Sequence, residues 1–413
     1  MNDAHPHPKT PLDWAKAACD TMMRTHAAAE LPPKGHFHYH QGVFLSGVWQ
    51  TALLTGDERY FEYVKDWMDS VISPGGEIID YYHGDFDDMQ PGILLFGLLD
   101  RYGDPKYKNA LDNDIAQIKS VPVGPTGGYW HKMRRNSQMW LDGLYMAGPL
   151  MSEYAARFSR PDLANQVVFQ AQLMYDMTLN PATGLLLHAW DARKVAPWAD
   201  PVTGKAPEHW GRSVGWVPVA LLDDADFFPD DAGGVGGAAD TGSACGSADA
   251  GGASGAADAG GLEVKPGFSN GKAVLVDLAL KVLRAVVKYQ SSEGRWYQVI
   301  DKGDWPGNWL ENSCSSLFVA ALAKAVYKGY VTGDEAKQWA AAAQRGFGAV
   351  VNSLSWKGDD LQVGNVCIGT GVGDYQFYID RPVHTNDLHG VGGFLLMCTE
   401  MQRLDDYLAA QKG

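Results

Sequence analysis

The sequence predicts an all-α chain of six helical hairpins closed into a toroid, an (α/α)6 barrel. Three observations predict it. Apolar residues recur at helical spacing from end to end, short Gly/Asp turns join the helical stretches in pairs, and short aromatic pieces that open with Gly fall between them. The helical stretches run over 11–29, 40–55, 57–72, 91–102, 105–119, 137–157, 161–179, 209–226, 270–291, 309–329, 333–353 and 387–411. A linear solenoid is the main rival, but the hairpin spacing is less regular than stacked repeats require.

The hairpin turns share a signature: TGDERYFEY at 55–63, YGDPKYKNA at 102–110 and TGDEAKQWA at 332–340. In each, Gly can end one helix in the left-handed conformation and Asp can cap the next. The pieces GGYWHKM (127–133), GLLLHAWD (184–191) and GRWYQVID (294–301) read as short strands or hairpins at one rim. One stretch breaks the rhythm: residues 230–261 are Gly, Ala, Ser and Asp with almost nothing to bury. It reads as a flexible surface insertion (bounds about 228–263) in a single catalytic domain spanning 1–413, an interdomain linker being the alternative.

Composition excludes several classes. A formal net charge of −15 argues against nucleic acid or an anionic membrane as partner. No stretch is long and apolar enough to span a bilayer, and no secretory signal opens the chain. Five scattered cysteines without CxxC spacing read as reduced thiols of a cytoplasmic protein. Oligomeric state is not legible.

Asp142 is the sharpest candidate for chemistry. It lies in QMWLDGLYMAGP, flanked by Trp140, Leu141, Leu144, Tyr145 and Met146. Desolvation favours the neutral acid, which suits a proton donor at neutral pH; a buried structural Asp is the alternative. Asp87, in GDFDDMQPG, stands just ahead of a helix among carboxylates that are otherwise solvated or capping. His188, in LLLHAWD, is either a substrate contact or a hydrogen-bonded core histidine. Trp210, Arg212 and Trp216 in HWGRSVGW gather at a helix start, where Arg can grip a carboxylate and the rings can stack on a sugar. The plainer account puts both Trp in the core. WHKMRR adds Lys132.

Other motifs fail. GTGVGD (369–374) is not GxGxxG and no βαβ pattern surrounds it. Walker A, HExxH and GxSxG are absent from the sequence. HFHYH at 36–40 lacks partners at ligand spacing and is a weak metal signal; His384 and His389 flank a helix start capped by Asn386 or Asp387. Aromatic platforms with a few charges describe a carbohydrate cleft that accepts an acidic sugar.

At this point QMWLDGLYMAGP, GLLLHAWD, HWGRSVGW, NWLENSCSSLFVAALAKAVYKGYV and CIGTGVGDYQFYIDRPVHTNDLHGVGGFLL together resemble the unsaturated rhamnogalacturonyl hydrolases, glycoside hydrolase family 105. These are related to the unsaturated glucuronyl hydrolases of family 88. The resemblance runs from about residue 36 to the end in the same motif order, the 230–261 insertion departing from it. It implies an (α/α)6 barrel and assigns the general acid/base to Asp142 and a second active-site aspartate to Asp87. It further implies substrate contacts at His188, Trp210, Arg212, Lys132 and Trp140, and at Tyr39 near the first inner helix.

The implied chemistry explains a lone buried acid. A uronic acid with a C4=C5 double bond is an enol ether, so one carboxyl can protonate C4 and then take a proton from water adding at C5. The substrate would be a lyase-generated unsaturated disaccharide, with rhamnose the default in the second subsite. The expected state is a protonated Asp142, raised further by Asp87, with Arg212 or Lys132 holding the uronate. No metal and no organic cofactor is expected. The alternatives are a conventional inverting glycosidase, an epimerase using paired His such as His188 and His384, and a non-catalytic oligosaccharide-binding protein.

Overall fold

The computed structural model describes residues 8–80, 84–230 and 270–412. Among these, twelve long helices carry the architecture: α1 (Pro11–Thr25), α2 (Tyr39–Thr55), α3 (Glu58–Val71), α4 (Ile93–Tyr102), α5 (Pro105–Gln117), α6 (Asp142–Phe158), α7 (Pro161–Thr178), α8 (Gly211–Ala225), α9 (Gly271–Val287), α10 (Asn312–Tyr327), α11 (Gly333–Asn352) and, after the short α12 (Tyr375–Ile379), α13 (Leu388–Ala410).

Burial pattern separates two rings. Every residue of α10 from Asn312 to Val326 is buried, so this helix has no wet face. In α3, by contrast, Tyr60, Phe61, Tyr63, Val64, Trp67, Met68 and Val71 are buried and the intervening face is polar. A helix apolar all round belongs inside, and an amphipathic one lies outside. The inner ring is α2, α4, α6, α8, α10 and α13, with α13 packed on both α10 and α2 to close the barrel. A 3-10 turn at Gln90–Gly92 joins α4 to α6. Outer helices α3, α5, α7, α9 and α11 each pack on the inner helix before them, and α1 packs on α13. This is the (α/α)6 barrel that the sequence predicts.

The turn chemistry holds for two of the three signals. Gly56 (φ 68°) and Gly103 (φ 65°) end α2 and α4 in the left-handed region. Asp57 and Asp104 then accept the backbone N–H of Arg59 and Lys106, both at 3.0 Å. At the third, α10 has already ended by Tyr327, Thr332 is the N-cap, and Asp334 lies inside the first turn of α11.

The rim departs further from expectation. The helix expected over 137–157 is split: Gln138–Trp140 is a strand, β1, and α6 starts only at Asp142. Its partner is β2 (Ala189–Asp191), antiparallel with Trp140 opposite Ala189. Of the three rim pieces only β2 is a strand; the others make single bridges such as Val123–Tyr129 and Tyr297–Leu310. Two further hairpins, β3 (Ser355–Lys357) with β4 (Asp360–Gln362) and β5 (Val366–Cys367) with β6 (Val383–His384), carry no clear periodicity. From residue 231 the Gly/Ala-rich stretch lies outside the described residues. No helix among the described residues is long and apolar enough to cross a membrane.

Barrel closure depends on close approach between α13 and α2. A Cβ on Gly392 would lie 2.6 Å from Phe44 N and from Val43 C and O. In an ordinary helix, Gly→Ala gains about 1 kcal/mol; here backbone atoms, which cannot step aside, oppose it. We expect Gly392→Ala to lower the melting temperature by several degrees, the overpacking costing about 1–3 kcal/mol. A melting temperature raised by the substitution would show that the two helices have room between them.

Candidate active site

Starts of the inner helices gather at one end of the barrel. Arg212 at the start of α8 reaches Ser313 at the start of α10, and Tyr39 at the start of α2 lies against His389 at the start of α13 (ring centroids 6.1 Å). The opposite halves meet elsewhere: Lys324 reaches Asp223, and Arg403 reaches Gln50. Helix N-termini carry partial positive charge, so this end favours anions.

Asp142 is the first residue of α6 rather than an interior one. The split at 138–142 places it there, since β1 must end before the helix turns inward. Its side chain is 13% exposed and Oδ2 lies 3.1 Å from His188 Nε2. The Tyr378 hydroxyl lies 2.6 Å from His188 Nδ1. Burial keeps that phenol protonated, well above its ordinary range, and Gly373 N–H donates to its oxygen at 3.2 Å. Tyr378 therefore donates to Nδ1, and the histidine proton sits on Nε2, directed at Asp142.

That geometry overturns the expected protonation state. Burial pushes the Asp142 carboxyl up and Asp87 adds to it, but the interaction with His188, through its Nε2–H, prevails, with His131 in support, and holds it below the ordinary carboxylate range. Its place at a helix N-terminus acts in the same direction. In the free chain Asp142 is ionised, and the aromatic wall alone does not keep it neutral. His188 itself is pushed down by burial against the pull of Asp142.

Asp87 belongs to a second group. Lys132 Nζ lies between Asp87 and Asp85, with Asp85 Oδ1 at 2.9 Å. His131 Nε2 is 3.2 Å from Asp87 Oδ1, and His38 Nε2 is 4.0 Å from Oδ2. Burial opposes ionisation, yet Lys132 and His131 hold the Asp87 carboxyl well below its ordinary range. Lys132 is thus committed to two carboxylates and is not the free cation the sequence offered.

Arg212 is committed as well. Its Nη1 donates to the Cys367 carbonyl at 2.6 Å and Nη2 to that of Ile368 at 2.8 Å, with the guanidinium 4.4 Å over the Trp210 ring. It anchors the 367–372 loop to the start of α8, although backbone carbonyls leave its positive charge uncancelled. The expected direct grip on a ligand is therefore replaced by a buried charge behind Trp210. Trp210 and Trp140 do flank the centre: their rings lie 4.7 and 5.6 Å from His188. Tyr39 joins them through the electrostatics it shares with Arg212, Asp87 and Asp142. Trp216 does not; it stacks on Tyr145 at 4.4 Å in the core, as one helical turn beyond Arg212 dictates. His384, the epimerase partner of His188, is exposed, with Nδ1 3.8 Å from Asp387 Oδ2.

Sequence reasoning missed Tyr378, His131 and Asp85. His131 adjoins the Lys132 that was singled out, and its ring stacks on Trp140 at 4.7 Å. Tyr378 lies 190 residues from His188 and has no local signal. The Gly-rich 369–374 segment, unfit for a nucleotide, instead borders the site: a Cβ on Gly369 would lie 3.3 Å from the Tyr39 hydroxyl and one on Gly371 3.8 Å from the Trp140 ring.

Comparisons with known proteins identify the family and the fold. Residues 14–233 and 259–405 match the model of the family described as Glycosyl Hydrolase Family 88. The unsaturated rhamnogalacturonyl hydrolase YesR of Bacillus subtilis (strain 168) is 24% identical over 346 residues, covering 80% of this chain and 79% of that protein. A 24.9 kDa protein in the picA locus of Rhizobium radiobacter is 27% identical over 266 residues, 62% of this chain and 97% of that one. Among solved structures, a C. acetobutylicum ATCC 824 glycoside hydrolase from family 105 superposes with TM-score 0.80 at 26% identity, over 94% of this chain and 99% of that chain. The unsaturated glucuronyl hydrolase of Bacillus sp. GL1 shares the fold, with TM-score 0.61 at 14% identity over 95% and 97%.

Removing the histidine should leave burial in charge of Asp142. We expect His188→Phe to move the Asp142 carboxyl from below the ordinary range to above it, followed by carbon-13 NMR titration of Asp-labelled protein. Identical titration in both proteins would show that His188 does not set the charge.

Proposed function

The chain belongs to Glycosyl Hydrolase Family 88 and is a glycosidase, and on that premise we propose that it removes a 4,5-unsaturated uronic acid from the non-reducing end of short oligosaccharides. An unsaturated galacturonyl–rhamnose unit from rhamnogalacturonan is our choice of substrate, the likeness to YesR favouring rhamnose in the second subsite. The observation that carries the reading is Asp142: one buried carboxyl at a helix start, bonded to His188 and flanked by Trp140 and Trp210.

In our scheme, substrate binding loads the proton that the free carboxylate lacks. The site already holds Asp85, Asp87 and Asp142 against Lys132 and Arg212. A uronate entering beside Asp142 adds a negative charge and expels water, and both effects raise the carboxyl. Asp142 then delivers its proton to C4, leaving oxocarbenium character at C5. Water adds to C5 and returns its proton to Asp142. The resulting hemiketal opens at the C5–O5 bond, and the hemiacetal at C1 releases the second sugar. The net change is addition of one water, and Asp142 ends each cycle protonated.

A single acid suffices because the alkene, not the glycosidic oxygen, is protonated; ordinary glycosidases need two carboxyls at set separation. Asp87, locked ionised by Lys132 and His131, serves in this scheme as fixed negative charge that supports the cationic transition state. Arg212 supplies the opposing potential from behind Trp210, and the inner-helix starts add to it. Trp140, Trp210 and Tyr39 frame the sugar. The free thiols of Cys19, Cys314, Cys367 and Cys398 suit a reducing, cytoplasmic setting.

The test is loss of the double bond's ultraviolet absorbance with a panel of lyase-generated unsaturated disaccharides. We expect Asp142→Asn to lower turnover about a thousandfold or more while leaving the fold intact. Retained turnover would overturn the reading and leave a non-catalytic binder. Because the protonated acid is required, kcat/KM should fall about tenfold for each pH unit on the alkaline limb. A profile that instead rises with pH would mean that Asp142 acts first as a base.

A further inference from the structure

His40, Asp387 and His389 come together where the barrel closes. His40 is in the first turn of α2, Asp387 is the N-cap of α13, and His389 is in the first turn of α13. One donor atom from each lies within 4.8 Å of the others. Two donors bound to one zinc ion at about 2.1 Å lie no more than roughly 4.2 Å apart, so modest side-chain rotation closes the set.

The decisive detail is His389. The ring is fully buried, and Nε2 is 3.0 Å from the Cys367 carbonyl, which can only accept. The proton of a neutral His389 is therefore on Nε2, and Nδ1 presents its lone pair. That lone pair faces Asp387 Oδ1 at 2.7 Å, yet Nδ1 has no aligned hydrogen bond. A lone pair against a carboxylate oxygen is repulsive, so either a proton or a metal cation bridges these two atoms. Second-ligand supply is at hand: His384 Nδ1 is 3.8 Å from the other oxygen of Asp387, and the His40 and His389 rings lie nearly parallel with centroids 5.0 Å apart. A cavity of about 510 Å³ lined by His38, His40, His384 and Asp387 gives an ion an entry path and room for water.

We propose that His40, Asp387 and His389 bind one divalent transition-metal ion, zinc by ligand type, with the remaining position taken by water or His384. Two imidazoles and a carboxylate suit zinc. The ion ties the start of α2 to the start of α13, across the seam that closes the ring, and fixes Tyr39 through the neighbouring His40, whose Nε2 lies 2.8 Å from the Tyr39 hydroxyl. HFHYH, a weak metal signal in isolation, acquires its partners about 350 residues downstream. The site is separate from Asp142, so it stands or falls independently of the hydrolase reading.

The test uses the full chain without an affinity tag, stripped with a chelator and dialysed. Calorimetric titration with zinc should give one ion per chain, and cobalt titration should give a visible absorption band of His/carboxylate coordination. Zinc should raise the melting temperature by several degrees. His40→Ala, whose side chain is only half-buried, and Asp387→Asn should each weaken binding at least tenfold and abolish the shift, whereas a surface control, Lys337→Ala, should change neither. Substoichiometric uptake, no shift in melting temperature, or unchanged binding by His40→Ala would overturn the proposal and leave a protonated His389 paired with Asp387.

Discussion

The contact between Asp142 and His188 decides what the rest of the molecule can do. Burial and a histidine partner pull the same carboxyl in opposite directions, and the partner wins in the free chain. Such a balance is adjustable: one pKa unit is about 1.4 kcal/mol, less than the cost of burying a single unpaired charge. A group poised in this way can be ionised when the site is wet and protonated when an anionic sugar fills it. Three elements distant in sequence set the balance. The first residue of α6 supplies the acid, the approach to β2 supplies the histidine, and α12 supplies the Tyr378 hydroxyl that fixes the tautomer.

The barrel supplies the field in which that balance operates. Inner-helix starts converge on the site, each adding about 0.3–1 kcal/mol of preference for negative charge. This preference explains how Asp85, Asp87, Asp142 and Asp387 can crowd one end with few cations among them. It also explains why Arg212 can be spent on scaffolding. Its hydrogen bonds to the Cys367 and Ile368 carbonyls pin a loop, while its charge, which those dipoles do not cancel, remains available to the cleft.

Periodicity exposed the barrel and left the rim hidden. Outer helices such as α3 announce themselves by one apolar face, and the Gly56 and Gly103 turns by their residue types. At 137–142 the same apolar spacing fits a helix or a buried strand, and only pairing of β1 with β2 selects the strand. Asp142, Asp87, His188, Trp140, Trp210 and Tyr39 were legible because local motifs carry them. Their charges were not, because each depends on a partner remote in sequence: Lys132 is 45 residues from Asp87, and His188 is 46 from Asp142. Trp216 misled because a Trp near an Arg in sequence points one turn away on a helix, into the core.

A large cavity also lies away from Asp142, and electrostatics explains why it is a poor home for the same ligand. A space of about 600 Å³ opens toward the C-terminal halves of the inner helices, lined by Trp49, Asp100, Pro149, Glu153 and Asp223. Helix C-termini are partially negative, and acids gathered there lack the support that they find at the other end. Burial accordingly pushes Glu153 up to about 7 in spite of Arg157, and raises Asp223 and Asp224 as well. Lys324, at 2.5 Å from Asp223 and 2.9 Å from Asp226, is consumed in offsetting that charge. An anionic sugar entering here would meet helix ends and carboxyls of its own sign. Volume alone would select this mouth of the barrel, whereas the direction of the inner helices selects the other.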